Sequence, residues 1–436
     1  MAFFSVNTTL INFDSHRRTM QLKRPWRVKW PLGLCLCFLA LDLADRNSSI
    51  AYEQANTVAG GETRAKRPGY VGDDACMPCH KEQALPYGQT SHHLTSQPPS
   101  QASILGSFKE GENILMIENP RSTDLEPRLF FKMDIQHGGY YQIAVAEKGS
   151  QRLTRSERID IVTGSGVRGQ TYLYWAGNEL YELPASYWSD GNQWINSPGY
   201  IDGTANFARH VDPRCLECHA TYIKPLSSDP QTNVFDKGSL VTGISCETCH
   251  GAGANHIARE KRGSAAPDGA TSSAILNPVR FTRDRQIDLC ALCHNGGQLV
   301  ELKPAFTYLP GEPLDQYFAV DPADIADRPD VHGNQVGLLK KSSCYLSSPS
   351  MSCSTCHNVH RRERTAAEYS DRCLSCHRWQ NCGVSQTLGS KIAHNCVDCH
   401  MPMQETSAIV SKTANRILHT SIRTHLIKVY PGEGRR

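Results

Sequence analysis

The chain has 436 residues, 39% of them apolar, and a formal net charge of +3. That length permits two or three domains, and the apolar share is slightly low for a globular chain. Residues 1–51 hold seven Lys/Arg against three Asp/Glu, so the rest of the chain has 39 basic and 40 acidic residues; that balance argues against nucleic acid as a partner.

Residues 1–51 read as an export signal. Lys23, Arg24, Arg27 and Lys29 form a positive stretch, an apolar run extends from Pro31 to about Ala44, and Ser49-Ile50-Ala51 is a small-x-small cleavage site. Met20 is an alternative start, because the residues before it fit a leader poorly. The run is short for a membrane span of about 20 residues, which leaves an uncleaved membrane tether as the alternative.

Residues 52–107 introduce the pattern that governs the chain, a Cys-x-x-Cys-His at Cys76, Cys79 and His80. It recurs at Cys215, Cys218 and His219; Cys246, Cys249 and His250; Cys290, Cys293 and His294; Cys353, Cys356 and His357; Cys373, Cys376 and His377; and Cys396, Cys399 and His400. With 18 cysteines and 18 histidines in the chain, chance would supply roughly 0.03 copies. Positions i and i+3 share one face of a helical turn, so both sulfurs reach one macrocycle and the next residue reaches its metal. The pattern is that of c-type haem attachment. Zinc ribbons also use paired cysteines, but they do not require a histidine after every second one. Seven covalently attached haem c groups are therefore expected, with folding coupled to their attachment and with too little protein core in the C-terminal half without them. Their propionates would make the mature protein acidic. Of the remaining cysteines, Cys35 and Cys37 lie in the leader, and Cys344 and Cys382 are either free thiols or a disulfide.

Residues 108–210 contain no cysteine. Alternating apolar runs at 114–118, 129–135, 140–146, 159–164 and 170–175, punctuated by Gly138-Gly139, Gly149-Ser150 and Gly177-Asn178, predict short antiparallel strands. The stretch reads as a β-rich insert. Residues 211–436 carry six motifs, beginning 31, 44, 63, 20 and 23 residues apart, which excludes a regular repeat. Short, scattered helical signals there predict a mainly α fold with little regular secondary structure around stacked haems, apart from the insert.

A haem iron has two axial positions, and the motif histidine fills one. Candidates for the second are His92 or His93, with no choice between them, and His256, His332, His360, His394, His419 and His425. His210 is a weaker candidate. His137, beside a Gly-Gly turn, is expected not to ligate. Six methionines remain after residue 51, so bis-histidine ligation and low potentials are expected.

Tyr70-Val71-Gly72 with CMPCH, Ser91-His92-His93, CETCHGAGANH, DVHGN, CSTCHNVH and His394-x-CVDCHMP resemble the multihaem c-type cytochromes, most nearly the branch of the tetrahaem cytochrome c-554. The resemblance covers residues 70–107 and 211–425, not the insert. It implies an electron-transfer protein, outside the cytoplasm, working between redox proteins or with a quinol-oxidising membrane complex. The superfamily includes catalysts, so an oxidoreductase acting on a small nitrogen or sulfur compound at one open-site haem is the alternative. This chain lacks the CxxCK of the nitrite reductases and has seven motifs where hydroxylamine oxidoreductase has eight haems. A third reading makes the insert a docking module for a partner.

Overall fold

The computed structural model describes residues 67–431 except 118–127, 201–202, 263–274, 296–298, 321–333, 364 and 414–415. The stretch that reads as an export signal, Cys35, Cys37 and His332 lie outside the described residues. Among the described residues, no helix is long and apolar enough to cross a membrane.

After a 3-10 turn (Asp73–Ala75) and helix α1 (Lys81–Tyr87), eleven strands follow. They are β1 (Ser96–Gln97), β2 (Ile114–Ile117), β3 (Arg128–Gln136), β4 (Gly139–Lys148), β5 (Gln151–Arg158), β6 (Ile161–Thr163), β7 (Gly169–Ala176), β8 (Glu179–Glu182), β9 (Ala185–Trp188), β10 (Gln193–Asn196) and β11 (Arg209–His210). One sheet is a meander, β2-β3-β4-β5. The other runs β1-β6-β7-β8-β11, with β9 on β7 and β10 on β9. The two-residue period of a strand explains the core. Phe131 and Met133 are fully buried while Lys132 and Asp134 between them form an ion pair at 3.8 Å. They pack with Ile159, Tyr172, Tyr174, Trp194 and Phe207, and each such side chain contributes about 1.5–3 kcal/mol by its burial. Buried Gln142 on β4 joins the two layers, donating to the Ala185 carbonyl and accepting from its N–H. The β3–β4 turn places His137 and Gly138 at φ 49° and 76°, the left-handed pair that a tight hairpin needs.

The motif-bearing remainder has helices α2 (Pro213–His219), α3 (Cys246–His250), α4 (Ala254–Arg262), α5 (Arg283–His294), α6 (Gln335–Lys340), α7 (Ser343–Ser347), α8 (Cys353–Cys356), α9 (Ala366–Leu374), α10 (Ser385–Leu388) and α11 (Cys396–His400). Between them stand three antiparallel hairpins. These are β12 (Ala220–Pro225) with β13 (Phe235–Thr242), β14 (Leu299–Glu301) with β15 (Phe318–Val320), and β16 (Met403–Thr413) with β17 (Arg416–Arg423). The expectation of a mainly α chain is thereby overturned. The protein is mixed α/β, with 30% helix and 29% strand. The motif helices are short, so seven motifs add little helix. The chain also extends directly after His219 into Ala-Thr-Tyr-Ile, whose β-branched and aromatic residues suit a strand. From residue 353 onward, Ala393 and Val397 are the buried hydrophobic residues among those described. That stretch has little apolar core of its own.

Candidate haem sites

Each motif begins at a helical turn whose first amides need acceptors. Asp212 caps α2, accepting from Cys215 N–H at 3.0 Å. Other motifs are capped by each other's segments. Asp73, three residues before Cys76, accepts from Cys246 N–H at 2.8 Å. Ser370 on α9 accepts from Cys396 N–H at 2.9 Å through its hydroxyl. Glu247, inside the third motif, is 1% exposed. Its carboxylate accepts from Val71 N–H, Gly72 N–H and Gly253 N–H at 2.8–3.0 Å. Arg214 pairs with buried Glu217 at 2.6 Å and donates to the Leu292 carbonyl inside the fourth motif. Ser352, just before the fifth motif, donates to Gln286 on α5 at 2.7 Å.

These contacts make the motifs neighbours in a defined order. The first meets the third, the second the fourth, the fourth the fifth, and the sixth the seventh. The pKa shifts of the motif thiols follow the same order, with Cys246 acting on Cys76, Cys293 on Cys218 and Cys290 on Cys353. Tyr369 on α9 lies edge-on to His357 at 5.3 Å, which joins the fifth motif to the sixth.

Imidazole pairs test whether an iron porphyrin fits. A metal–nitrogen bond of about 2.0 Å on each side, plus about 1.1 Å from nitrogen to ring centre, sets two axial rings about 6.2 Å apart. Four motif histidines face a second histidine at that separation. His80 and His256 are 6.3 Å apart, His250 and His360 6.0 Å, and His357 and His425 6.2 Å, with ring planes within 28° of parallel. His294 and His92 are 6.0 Å apart at 75°. Desolvation at the ring lowers the pKa of His92 and His357, which are exposed as whole residues, and of half-buried His360, and it takes that of His425 down to about 4. All four are held neutral near pH 7, the form that ligates a metal. His256 and His425 each bury an Nδ1 that has no hydrogen-bond partner. Elsewhere Nδ1 is bonded, His250 to the Leu276 carbonyl at 2.8 Å and His400 to the Lys428 carbonyl at 2.9 Å, which leaves Nε2 for a metal. Beside the first motif a shallow groove open to solvent is lined by Cys79, Lys81, Glu82, Gln83, Leu85 and Pro86. The residues fit haem. A zinc ribbon needs four convergent ligands, and no three of His, Cys, Asp and Glu converge so among the described residues.

The remaining candidates stand elsewhere. His93 is 3.4 Å from Asp73 through Nδ1 and edge-on to Tyr87 at 5.8 Å. His394, on the 3-10 stretch Gly389–His394, is exposed, as is His419 on β17 opposite Val410. His210 is exposed and edge-on to Tyr181 at 5.2 Å. Cys344 and Cys382 are free thiols. Sequence reasoning passed over Asp73, Glu247, Arg214, Gln286 and Ser370, which tie the motifs together. The one available signal was an acidic residue within CLECH and CETCH, a charge set inside a segment that must be buried.

Comparison with known proteins agrees with this chemistry. Residues 191–251, which hold the second and third motifs, match the model of the family described as cytochrome c554 and c-prime. No curated protein matches. Among solved structures, the outer cell wall cytochrome OcwA is similar at 18% identity and a TM-score of 0.49, over 83% of this chain and 80% of that one. Residues 191–251, with two of the seven motifs, are thus similar to a family of c-type cytochromes.

Proposed function

We propose that the chain carries seven haem c groups and conducts electrons between redox partners outside the cytoplasm. The observation that carries this reading is the set of four imidazole pairs spaced for iron. Haem supplies reversible one-electron chemistry when bound. The residues supply the rest. Paired histidines close both axial positions and disfavour ligand chemistry. Hydrogen bonds between motif segments hold neighbouring sites in register. The acidic balance after the leader, deepened by propionates, suits partners with a positive docking patch, either soluble redox proteins or a quinol-oxidising membrane complex. The signal-like residues 1–51 support export, because haem c is attached outside the cytoplasm in bacteria.

Two measurements test the proposal. The mass of the denatured mature protein should equal the polypeptide plus seven haems, and a mass of bare chain or of chain plus zinc refutes it. Carbon monoxide added to the dithionite-reduced protein should leave the spectrum of at least four haems low-spin and unchanged. Gas binding at most sites would instead favour an oxidoreductase with open irons.

A further inference from the structure

Two tyrosines stand against axial histidines, and each comes from the segment of a neighbouring motif. Tyr87 ends α1, the helix that follows the first motif. It is 8% exposed and donates its hydroxyl to the Ile244 carbonyl, just before the third motif, at 2.6 Å. Its ring meets His360 at 6.3 Å and 60°, and His360 faces His250 of the third motif. Tyr369 stands on α9, the helix that runs into the sixth motif. It donates its hydroxyl to the Glu363 carbonyl at 3.2 Å, and its ring meets His357 of the fifth motif at 5.3 Å and 66°. Both contacts are edge-on, an arrangement that aromatic rings prefer.

Such contacts matter because a histidine does not choose its own ring plane. The torsion at the ring has a broad minimum, so a coordinated imidazole takes the plane that its other contacts dictate. In the third pair the His250 ring is held by its Nδ1 hydrogen bond to the Leu276 carbonyl, and the Tyr87 edge holds His360. In the fifth pair the Tyr369 edge acts on the motif histidine. These two pairs have ring planes 22° and 26° apart, whereas His92 and His294 are crossed at 75°. We propose that Tyr87 and Tyr369 are positioning residues that fix the imidazole planes of His360 and His357 and so keep the axial rings of the third and fifth haems near parallel. The inference rests on the haem reading proposed above. The iron orbital that holds the unpaired electron follows the ligand planes. Near-parallel planes give a rhombic low-spin resonance, and crossed planes give one with a larger maximum g value. Because each tyrosine belongs to the adjoining motif segment, neighbouring sites set one another's electronic axes.

The test is electron paramagnetic resonance of the oxidised holoprotein, with haem content measured on the same sample. Tyr87→Leu should move the resonance of about one haem in seven from the rhombic class to a larger maximum g value, with that haem still low-spin. Tyr87→Phe keeps the ring and loses only the hydroxyl bond, and its spectrum should match the wild type. Tyr369→Leu should move a different resonance, and it decides the matter should Tyr87→Leu fail to fold. The inference is overturned if either leucine variant keeps the wild-type spectrum, or if Tyr87→Phe shifts it as far as Tyr87→Leu does. It is also overturned if the affected haem turns high-spin, because the tyrosine then supports the iron–histidine bond rather than the ring plane. A full complement of seven haems with any of these results sinks the positioning role alone. A missing haem, or a wild type without low-spin resonances, sinks the reading beneath it.

Discussion

Replacing Glu247 by alanine should destabilise the protein by about 3 kcal/mol, because one buried and two half-buried amides would lose their acceptor, at about 1–3 kcal/mol for each buried group left unsatisfied. The carboxylate is buried and binds Val71 N–H, Gly72 N–H and Gly253 N–H. It therefore holds the segment before the first motif, the third motif, and the turn leading to His256 in one place. His256 faces His80 across 6.3 Å, so loosening this turn should also disturb the first haem's second ligand. Glu247→Gln keeps one carbonyl acceptor and should cost roughly half as much. Denaturant unfolding of the holoproteins, read by haem absorbance, checks both. A midpoint for Glu247→Ala equal to that of the wild type would show that the amides find other acceptors.

His425→Ala should convert one haem to the high-spin form, detectable by electron paramagnetic resonance and by carbon monoxide binding after reduction. The His425 ring is half-buried, with its Nδ1 shut from solvent, and 6.2 Å from His357, and its pKa of about 4 keeps it neutral and able to ligate. Under the proposed count, about one haem in seven should change. Removing the ligand leaves the covalent attachment at Cys353 and Cys356 intact, so haem content should not fall. His419→Ala is the control. Its ring is exposed on β17, and its loss should leave the spectrum unaltered. A wholly low-spin His425→Ala protein would refute the pairing.

Particular residues show how far the sequence could be read. The seven motifs were unmistakable because haem attachment is local, two sulfurs and a histidine within five residues. His256, His360 and His425 were legible as candidates because histidine is a good ligand wherever iron needs a second one. Which candidate faces which motif was not legible, since His425 meets His357 across 68 residues of chain. The choice between His92 and His93 also needed three dimensions. Adjacent side chains in a tight turn diverge, and the structure turns His92 toward His294 and His93 toward Asp73. The strand content of the motif-bearing part was missed because its hairpins lie next to motifs whose spacing reads as helical turns.

By itself, then, the sequence determined the local pattern: which residues form Cys-x-x-Cys-His, and how many copies there are. Bond-forming motifs depend on near neighbours, and near neighbours are written in order. Only the tertiary structure decided the wiring. It set the first motif on the third and the second on the fourth. Those contacts join residues far apart in the chain, through buried hydrogen bonds and charges whose strength depends on the exclusion of water. No local pattern encodes that exclusion.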